Sequence, residues 1–473
     1  MTAKFDNSYA RFPARFFARQ MPDAAPAPQR IAANGALAER LGFGGDWIAG
    51  PEGLAMTSGN AMPSGAEPLA QAYAGHQFGG WVPQLGDGRA VLLGEIIAPD
   101  GARFDIQLKG SGQTPFSRRG DGKAWLGPVL REYVVSEAMA ALGIPTTRAL
   151  AAVLTGEAVY RDGFARPGAI LTRVASSHIR VGTFQYFAAR EDTEALQLLT
   201  DHVIARHYPQ AETPLELLTA VVAAQARLIA RWLSVGFIHG VMNTDNMSIS
   251  GETIDYGPCA FMDHYHPSKV FSSIDAYGRY AYGAQPQIAA WNLAQFASCL
   301  LPLMGEREAA IEAATITIGG FTEVFQAEWL ALFGRKIGIT APRPEDRALI
   351  EDLLNRMAVE RADFTRTFRG LSTGTARAEF TEPLAFDQWS ERWQTRLAEE
   401  RDPEAVMATA NPVRIPRNHR IEAMIASAVE DDFAPFETLM AALAAPFDPA
   451  PEFAAFEAAP RPDEAVARTF CGT

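Results

Sequence analysis

The sequence predicts an α+β fold, with a β-rich N-terminal part followed by a helical C-terminal part. Two patterns carry that prediction. Glycine is dense between Gly79 and Gly122 and apolar residues there alternate with period two; beyond about residue 185 they recur at helical spacing. A third observation sets the scale: 473 residues, 48% of them hydrophobic and 21% charged, suffice for one large domain or two to three ordinary ones with a sizeable core.

Residues 1–60, rich in Ala and Pro, read as an extended N-terminal extension with one short helix near 34–41. In the segment 61–185, Ala90–Ile97, the turn Pro99-Asp100-Gly101 and Arg103–Lys109 predict a β-hairpin. Phe104, Ile106 and Leu108 share one face of its second strand, and Asp105, Gln107 and Lys109 share the other. Residues 128–142 predict a helix, with Pro128 at its first position and Gly143 just beyond its end. Leu130, Val134 and Ala138 form its apolar stripe, which leaves Glu132 off that stripe. Residues 149–154 and 168–174 are strand-like. The segment 186–443 is helical, most clearly at 193–206 and 215–235, and 444–473 reads as a tail rich in Ala, Pro and acids.

The net charge of −13 opposes non-specific binding to nucleic acids or anionic membranes. A polyphosphate ligand then needs a locally basic pocket. Only five lysines occur (Lys4, Lys109, Lys123, Lys269 and Lys336), so arginine is the default cation. Three cysteines do not make a disulfide framework in a chain this long, and a reducing compartment is expected. The start MTAKFDNSYARFPARFF has no basic-then-apolar leader, and no run of about 18 uncharged apolar residues occurs. The expectation is a cytoplasmic monomer with neither a nucleic-acid nor a membrane partner.

Three motifs point to chemistry. Gly86-Asp87-Gly88 leads into a strand, where glycine lets backbone N–H groups approach phosphates and Arg89 adds charge; read alone, such a turn is more often a hairpin tip. Lys109 on a strand and Glu132 on a helix match the pair that protein kinases use to set an ammonium on polyphosphate oxygens. From Arg103 to Arg131 six cations stand against two acids, Asp105 and Asp121, and the loop between offers Gly110, Gly112, Gly120 and Gly122 as backbone donors. Asp121 accepts either from ribose or adenine or from a neighbouring turn. The third motif is FIHGVMNTDNMSISGETIDYGP. Its loop presents His239, Asn243, Asp245 and Asn246, and a short hairpin from MSIS to TID delivers Asp255. Mg²⁺ takes hard oxygen ligands, which Asn246 and Asp255 supply, leaving Asp245 to take a proton or orient a nucleophile. Kinases carry a loop Asp, a loop Asn and an Asp-Phe-Gly aspartate in this order; here the order is compressed, with Asp-Tyr-Gly at its end. Arg173 and Arg180 lie between the two parts, as phosphate forks or as ion pairs. The predicted architecture is a protein-kinase-like two-lobed fold.

The runs YAGHQFGGWVPQLGDGRA, DIQLKGSGQTPFSRRGDGKAWLGPVLREYVVSEAM and HGVMNTDNMSISGETIDYGP, with FDNSYARF near the start and a cysteine third from the end, resemble the selenoprotein O family across nearly the whole chain. That resemblance implies a kinase-like fold that binds ATP in reversed orientation and transfers AMP to Ser, Thr or Tyr hydroxyls of proteins. It implies that Lys109, held by Glu132, Arg173 and Arg180 grip the terminal phosphates, while Gly86, Gly88, Arg89, Asp121 and Gly122 contact the rest of ATP. Asp245 is then the base, and Asn246 and Asp255 hold Mg²⁺ or Mn²⁺. The family pairs its C-terminal cysteine with one in the loop after Asp-Tyr-Gly. Here Cys471 matches but the other position is Ser272, so either Cys259 takes that place or redox control is absent.

Overall fold

A computed structural model describes residues 3–470. Its centre is a nine-stranded antiparallel sheet built from Lys4–Phe5 (β1), Phe17–Arg19 (β2), Gln29–Ala33 (β3), Leu69–Gln71 (β4), Ala90–Ile97 (β7), Arg103–Lys109 (β8), Ala124–Trp125 (β9), Arg148–Arg161 (β10) and Phe164–Ala175 (β11). The order is β2-β4-β7-β8-β11-β10-β3, with β1 beside β7 and β9 beside β11. Gly75–Gln77 (β5) and Gly80–Val82 (β6) make a separate hairpin, and Phe237–Ile238 (β12) pairs with Ala260–Phe261 (β13).

The β7–β8 hairpin has the predicted bounds, paired from Ala90 opposite Lys109 to Ile97 opposite Arg103 with a register shift between Leu92 and Gly94. Its faces differ. Val91, Leu93, Ile106 and Leu108 pack on Leu37, Leu41, Phe43 and Ile48 of the first helices, whereas Asp105 and Gln107 are buried on the other side. The first sixty residues are therefore not an extended arm. They supply three strands and the helices Gly35–Leu41, Gly45–Ala49 and Pro51–Thr57. Strands of two to five residues are too short to display a period, so their pairing partners rather than their own pattern define them.

The helix Leu126–Ala141 begins two residues earlier than predicted, with Pro128 still in the first turn, where a missing N–H costs nothing. It is buried on nearly every side, Glu132 included. The strands expected at 149–154 and 168–174 are parts of the long β10–β11 pair, closed by Asp162-Gly163 with positive φ at both residues.

Helices follow from Val181 onward. Pro214–Ser234 starts on a Thr213–Glu216 capping box with proline at its first turn, and packs on Gln285–Leu300 and Arg307–Lys336. Among the described residues it is the one helix long and apolar enough to cross a membrane, but 61% of that stretch is buried in the protein. The hairpin expected from Met247 to Asp255 does not form. Ile249 N donates to Ile179 O, Val181 N to Met247 O and Thr253 N to Pro145 O, at 3.0 Å each. Apart from the turn bond from Gly251 N to Ser248 O at 3.3 Å, these backbone groups of the stretch pair with segments 145–147 and 179–181.

Candidate active site

Lys109 ends β8 and Glu132 sits nearly two turns into the helix Leu126–Ala141, so the strand and the helix meet through their side chains. Lys109 Nζ donates to Glu132 Oε2 at 2.6 Å and to Asp255 Oδ1 at 2.7 Å. Arg173, on β11 next to β8, donates to Asp255 Oδ1 at 2.6 Å and to Glu132 Oε1 at 3.2 Å. Arg180, at the start of the helix Val181–Ala188, donates to Asp255 Oδ2 at 2.9 Å and to the Asp245 carbonyl at 2.7 Å. Three cations thus converge on one carboxylate, and both arginines are only 2% exposed. Burial alone raises the Asp255 carboxyl, but Lys109, Arg173 and Arg180 outweigh it and hold the group well below the usual carboxylate range. Gln107 Oε1 accepts from Arg173 at 2.6 Å and fixes its plane.

Asp255 adopts a left-handed backbone (φ 63°) between the buried Ile254 and Tyr256, which turns its carboxylate into the cluster. The loop Asn243–Asn246 lies beside it. Burial pushes the Asp245 carboxyl up to about 6; Gln77 Nε2 donates to its Oδ2 at 3.1 Å, while its buried Oδ1 has no hydrogen-bond partner. The hairpin β5–β6 presses on this group closely enough that a Cβ at Gly75 would meet Asp245 Oδ1 at 2.5 Å. Asn246 Nδ2 donates to Val241 O at 2.9 Å, leaving the amide oxygen as a donor atom for a cation.

Lys109, Arg173, Arg180, Asp245, Asn246, Asp255 and Gln77 line one cavity of about 430 Å³, with Glu132 and Gln107 outside its lining. Gly86, Asp87, Gly88 and Arg89 form one wall with Gly120, Asp121 and Gly122. The glycines have packing reasons as well as any phosphate role. A Cβ on Gly86 (φ 118°) would strike the Phe116 ring at 2.4 Å, and one on Gly122 (φ 69°) would strike Gly112 O at 2.0 Å. Thr114 Oγ1 donates to Asp87 O at 2.7 Å and stitches the two loops together. The Asp121 carboxylate is taken by both terminal nitrogens of Arg161, at 2.8 Å each, and by Lys123 N.

Not every residue singled out in the sequence comes to this place. The run of cations from Arg103 to Arg131 divides: Lys109, Arg118 and Lys123 line the cavity, Lys123 while paired with Glu157, whereas Arg103 pairs with Asp6 and Glu95 and Arg131 with Glu422 outside its lining. Strand alternation and helix rotation send neighbouring charges to opposite sides. His239 is fully buried, donating from Nε2 to Ile254 O, and braces the loop. Cys259 is buried, Ser272 pairs with Thr469, and Cys471 lies outside the described residues.

Sequence reasoning missed Asp87, Gln77, Tyr73 and Phe78. Asp87 is buried, its carboxyl raised to about 6 by desolvation, and accepts from Gln71 N and Gln107 Nε2. The Arg180 guanidinium lies 4.6 Å from the Tyr73 ring centroid. All four lie in the run YAGHQFGGWVPQLGDGRA that carries the family resemblance, but only Asp87, between two glycines, had a local chemical signal.

The described residues contain no group of three or more His, Cys, Asp or Glu suited to a metal. One carboxylate and one amide oxygen fit a hard divalent cation that completes its shell with phosphate oxygens and water. The buried Asp245 Oδ1 without a partner lies in the same cavity. Buried cations at one end, an activated carboxylate nearby and glycine-rich walls suit transfer of part of a polyphosphate to a hydroxyl.

Residues 1–444 match the family described as Protein adenylyltransferase SelO. The chain is 61% identical over 469 residues to Protein nucleotidyltransferase YdiU of Ruegeria sp. (strain TM1040), covering 99% of each chain. Over 477 residues it is 60% identical to the protein of the same name from Jannaschia sp. (strain CCS1), again covering 99% of each. The chain belongs to the SelO family of protein adenylyltransferases and is a nucleotidyltransferase.

Proposed function

We propose that this enzyme transfers AMP from ATP to Ser, Thr or Tyr hydroxyls of proteins, with ATP reversed relative to ordinary kinases. The convergence of Lys109, Arg173 and Arg180 on Asp255 carries the reading. Lys109, Arg173 and Arg180 concentrate three positive charges around Glu132 and Asp255, while Asp87 and Asp245, which line the same cavity, offset part of that charge. That field favours the most highly charged end of ATP, its β and γ phosphates, and directs the α phosphate outward toward Asp245. Gly86, Gly88, Arg89, Asp121 and Gly122 line the wall along which the remainder of ATP lies.

In the proposed reaction the acceptor hydroxyl gives its proton to the Asp245 carboxylate as its oxygen attacks the α phosphorus. The α–β bridging bond breaks, and pyrophosphate leaves with its charge met by Lys109, Arg173 and Arg180. Burial brings the Asp245 carboxyl toward neutral pH, which suits a general base. Asn246 and Asp255 would hold the Mg²⁺, with Mn²⁺ as the alternative, and Asp255 would exchange part of its ion pairing for that bond. When bound, the cation supplies charge neutralisation on the phosphate oxygens. A two-lobed kinase-like arrangement, 61–185 and 186–443 between terminal extensions, and a cytoplasmic location belong to the same reading.

ATP labelled at either the α or the γ phosphate, incubated in parallel with protein acceptors, tests it. Retention of α label alone is expected. Retention of γ label alone would instead mark a kinase, and retention of neither an ATP-binding scaffold. Substituting UTP tests whether UMP is the transferred group.

A further inference from the structure

The hairpin β5–β6 stands outside the large sheet, over the loop Asn243–Asn246. Gln77 pairs with Gly80, so its turn consists of Phe78 and Gly79 alone. Both have positive φ, 53° and 84°, the pattern of a type I′ turn. Such turns strongly favour Asn-Gly, because asparagine tolerates the left-handed region, whereas a bulky residue there is a backbone outlier. A side chain held against its own backbone preference points to a use for that side chain.

The surroundings indicate what the use is. Phe78 N donates to Asn243 Oδ1 at 3.0 Å, and the same oxygen accepts from the Tyr280 hydroxyl at 2.6 Å. The Phe78 ring leans on Tyr280 with centroids 5.1 Å apart. Despite that anchoring, 37% of Phe78 stays exposed, and it lines the cavity that holds Asp245. Gln77, one residue earlier, touches the Asp245 carboxylate. Ile274, 54% exposed, lines the same cavity from the segment after Asp255-Tyr256-Gly257. Charged groups therefore occupy the interior of the cavity, and apolar surface lies exposed beside the proposed base.

We propose that Phe78, with Ile274, is an acceptor-specificity residue that reads an apolar side chain next to the hydroxyl being modified. The inference rests on the hydroxyl-acceptor reading above, which makes the acceptor protein the occupant of this part of the cavity. A hydroxyl reaching Asp245 brings its neighbours against Phe78, because the base contact and the ring belong to consecutive residues. An apolar neighbour is removed from water there, whereas a cationic one loses hydration beside the like charge of Arg279, whose guanidinium would lie 3.6 Å from a Cβ on Gly79.

The test uses a synthetic peptide library with one Ser, Thr or Tyr and a randomised adjacent position, incubated with the full-length protein, Mg²⁺ and α-labelled ATP. Wild type is expected to label peptides with Leu, Ile, Met or Phe at that position about tenfold over those with Lys or Arg. Phe78→Asn, which suits the turn, is expected to keep or raise Tm while bringing that ratio near one, and Phe78→Leu to retain the preference. Labelling without apolar selection, or an unchanged selection in Phe78→Asn, overturns this inference alone. Label on no peptide overturns the hydroxyl-acceptor reading and this inference with it.

Discussion

Burial sets the reactivity of Asp245 and also makes it costly. With a carboxyl near 6 in the folded chain against 3.8 for the free side chain, the folded state takes up this proton first. The charged form is therefore disfavoured by folding above about pH 6, and the penalty disappears as pH falls from there through the free value. The upper bound is on the order of 3 kcal/mol at neutral pH. Asp245→Asn should thus raise Tm at pH 7–8, by up to about 2 kcal/mol in stability, while lowering transfer by about 10²–10⁴-fold. Wild-type transfer should decline roughly tenfold per unit below about pH 6, where the base is protonated. A pH–rate profile flat from pH 7 to 5 contradicts the assignment of Asp245 as the base. Gln77 lowers this carboxyl through its hydrogen bond, so Gln77→Leu should move the acidic limb to higher pH.

At the level of elements, ion pairs tie the loop ending at Asp255 to strands β8 and β11, which are themselves hydrogen-bonded neighbours in the sheet. Removing the negative charge from that junction leaves Lys109, Arg173 and Arg180 facing each other with Glu132 as the remaining carboxylate. Breaking a buried pair on one side typically costs about 3–5 kcal/mol. Asp255→Asn should accordingly lower Tm, and tripolyphosphate without metal should raise the Tm of this variant more than that of wild type, as a ligand for the uncovered cations. Equal shifts in both proteins contradict the role of the cluster as a polyphosphate cradle. The elements that carry the cluster were legible in the sequence to different degrees. The β7–β8 hairpin was explicit, because alternation, turn residues and Lys109 agreed. The segment after Asn246 was misread as a hairpin, since its Gly251 turn is a local signal while its hydrogen bonds go to residues 145–147 and 179–181, distant in sequence. The hairpin bearing Gln77 and Phe78 left no local trace, because a Phe-Gly turn contradicts the preference by which such turns are recognised.

Over the whole molecule, the C-terminal segments close back on the site. Arg417 is 1% exposed, donates to Asp263 at 2.5 Å and to Asp363 at 2.7 Å, and also reaches Glu457 O. Thr469 Oγ1 donates to Pro258 O at 2.5 Å, directly after Asp255-Tyr256-Gly257, and its backbone pairs with Phe271 and Ser273. Arg417→Met should cost about 3–5 kcal/mol by leaving Asp363 buried and unpaired, measured as a drop in Tm that Asp363→Asn partly reverses. Composition could bound the charge and core of the chain but not this closure, because a polar tail and a buried tail have similar sequences until their partners are known. The central claim is that this cavity moves the α phosphate of ATP. Intact mass of acceptor proteins after incubation with Mg·ATP, beside an Asp255→Ala control, tests it most directly. The account predicts a gain of one AMP with wild type and none with the variant; a gain of one phosphate, or an AMP gain that survives Asp255→Ala, would contradict it.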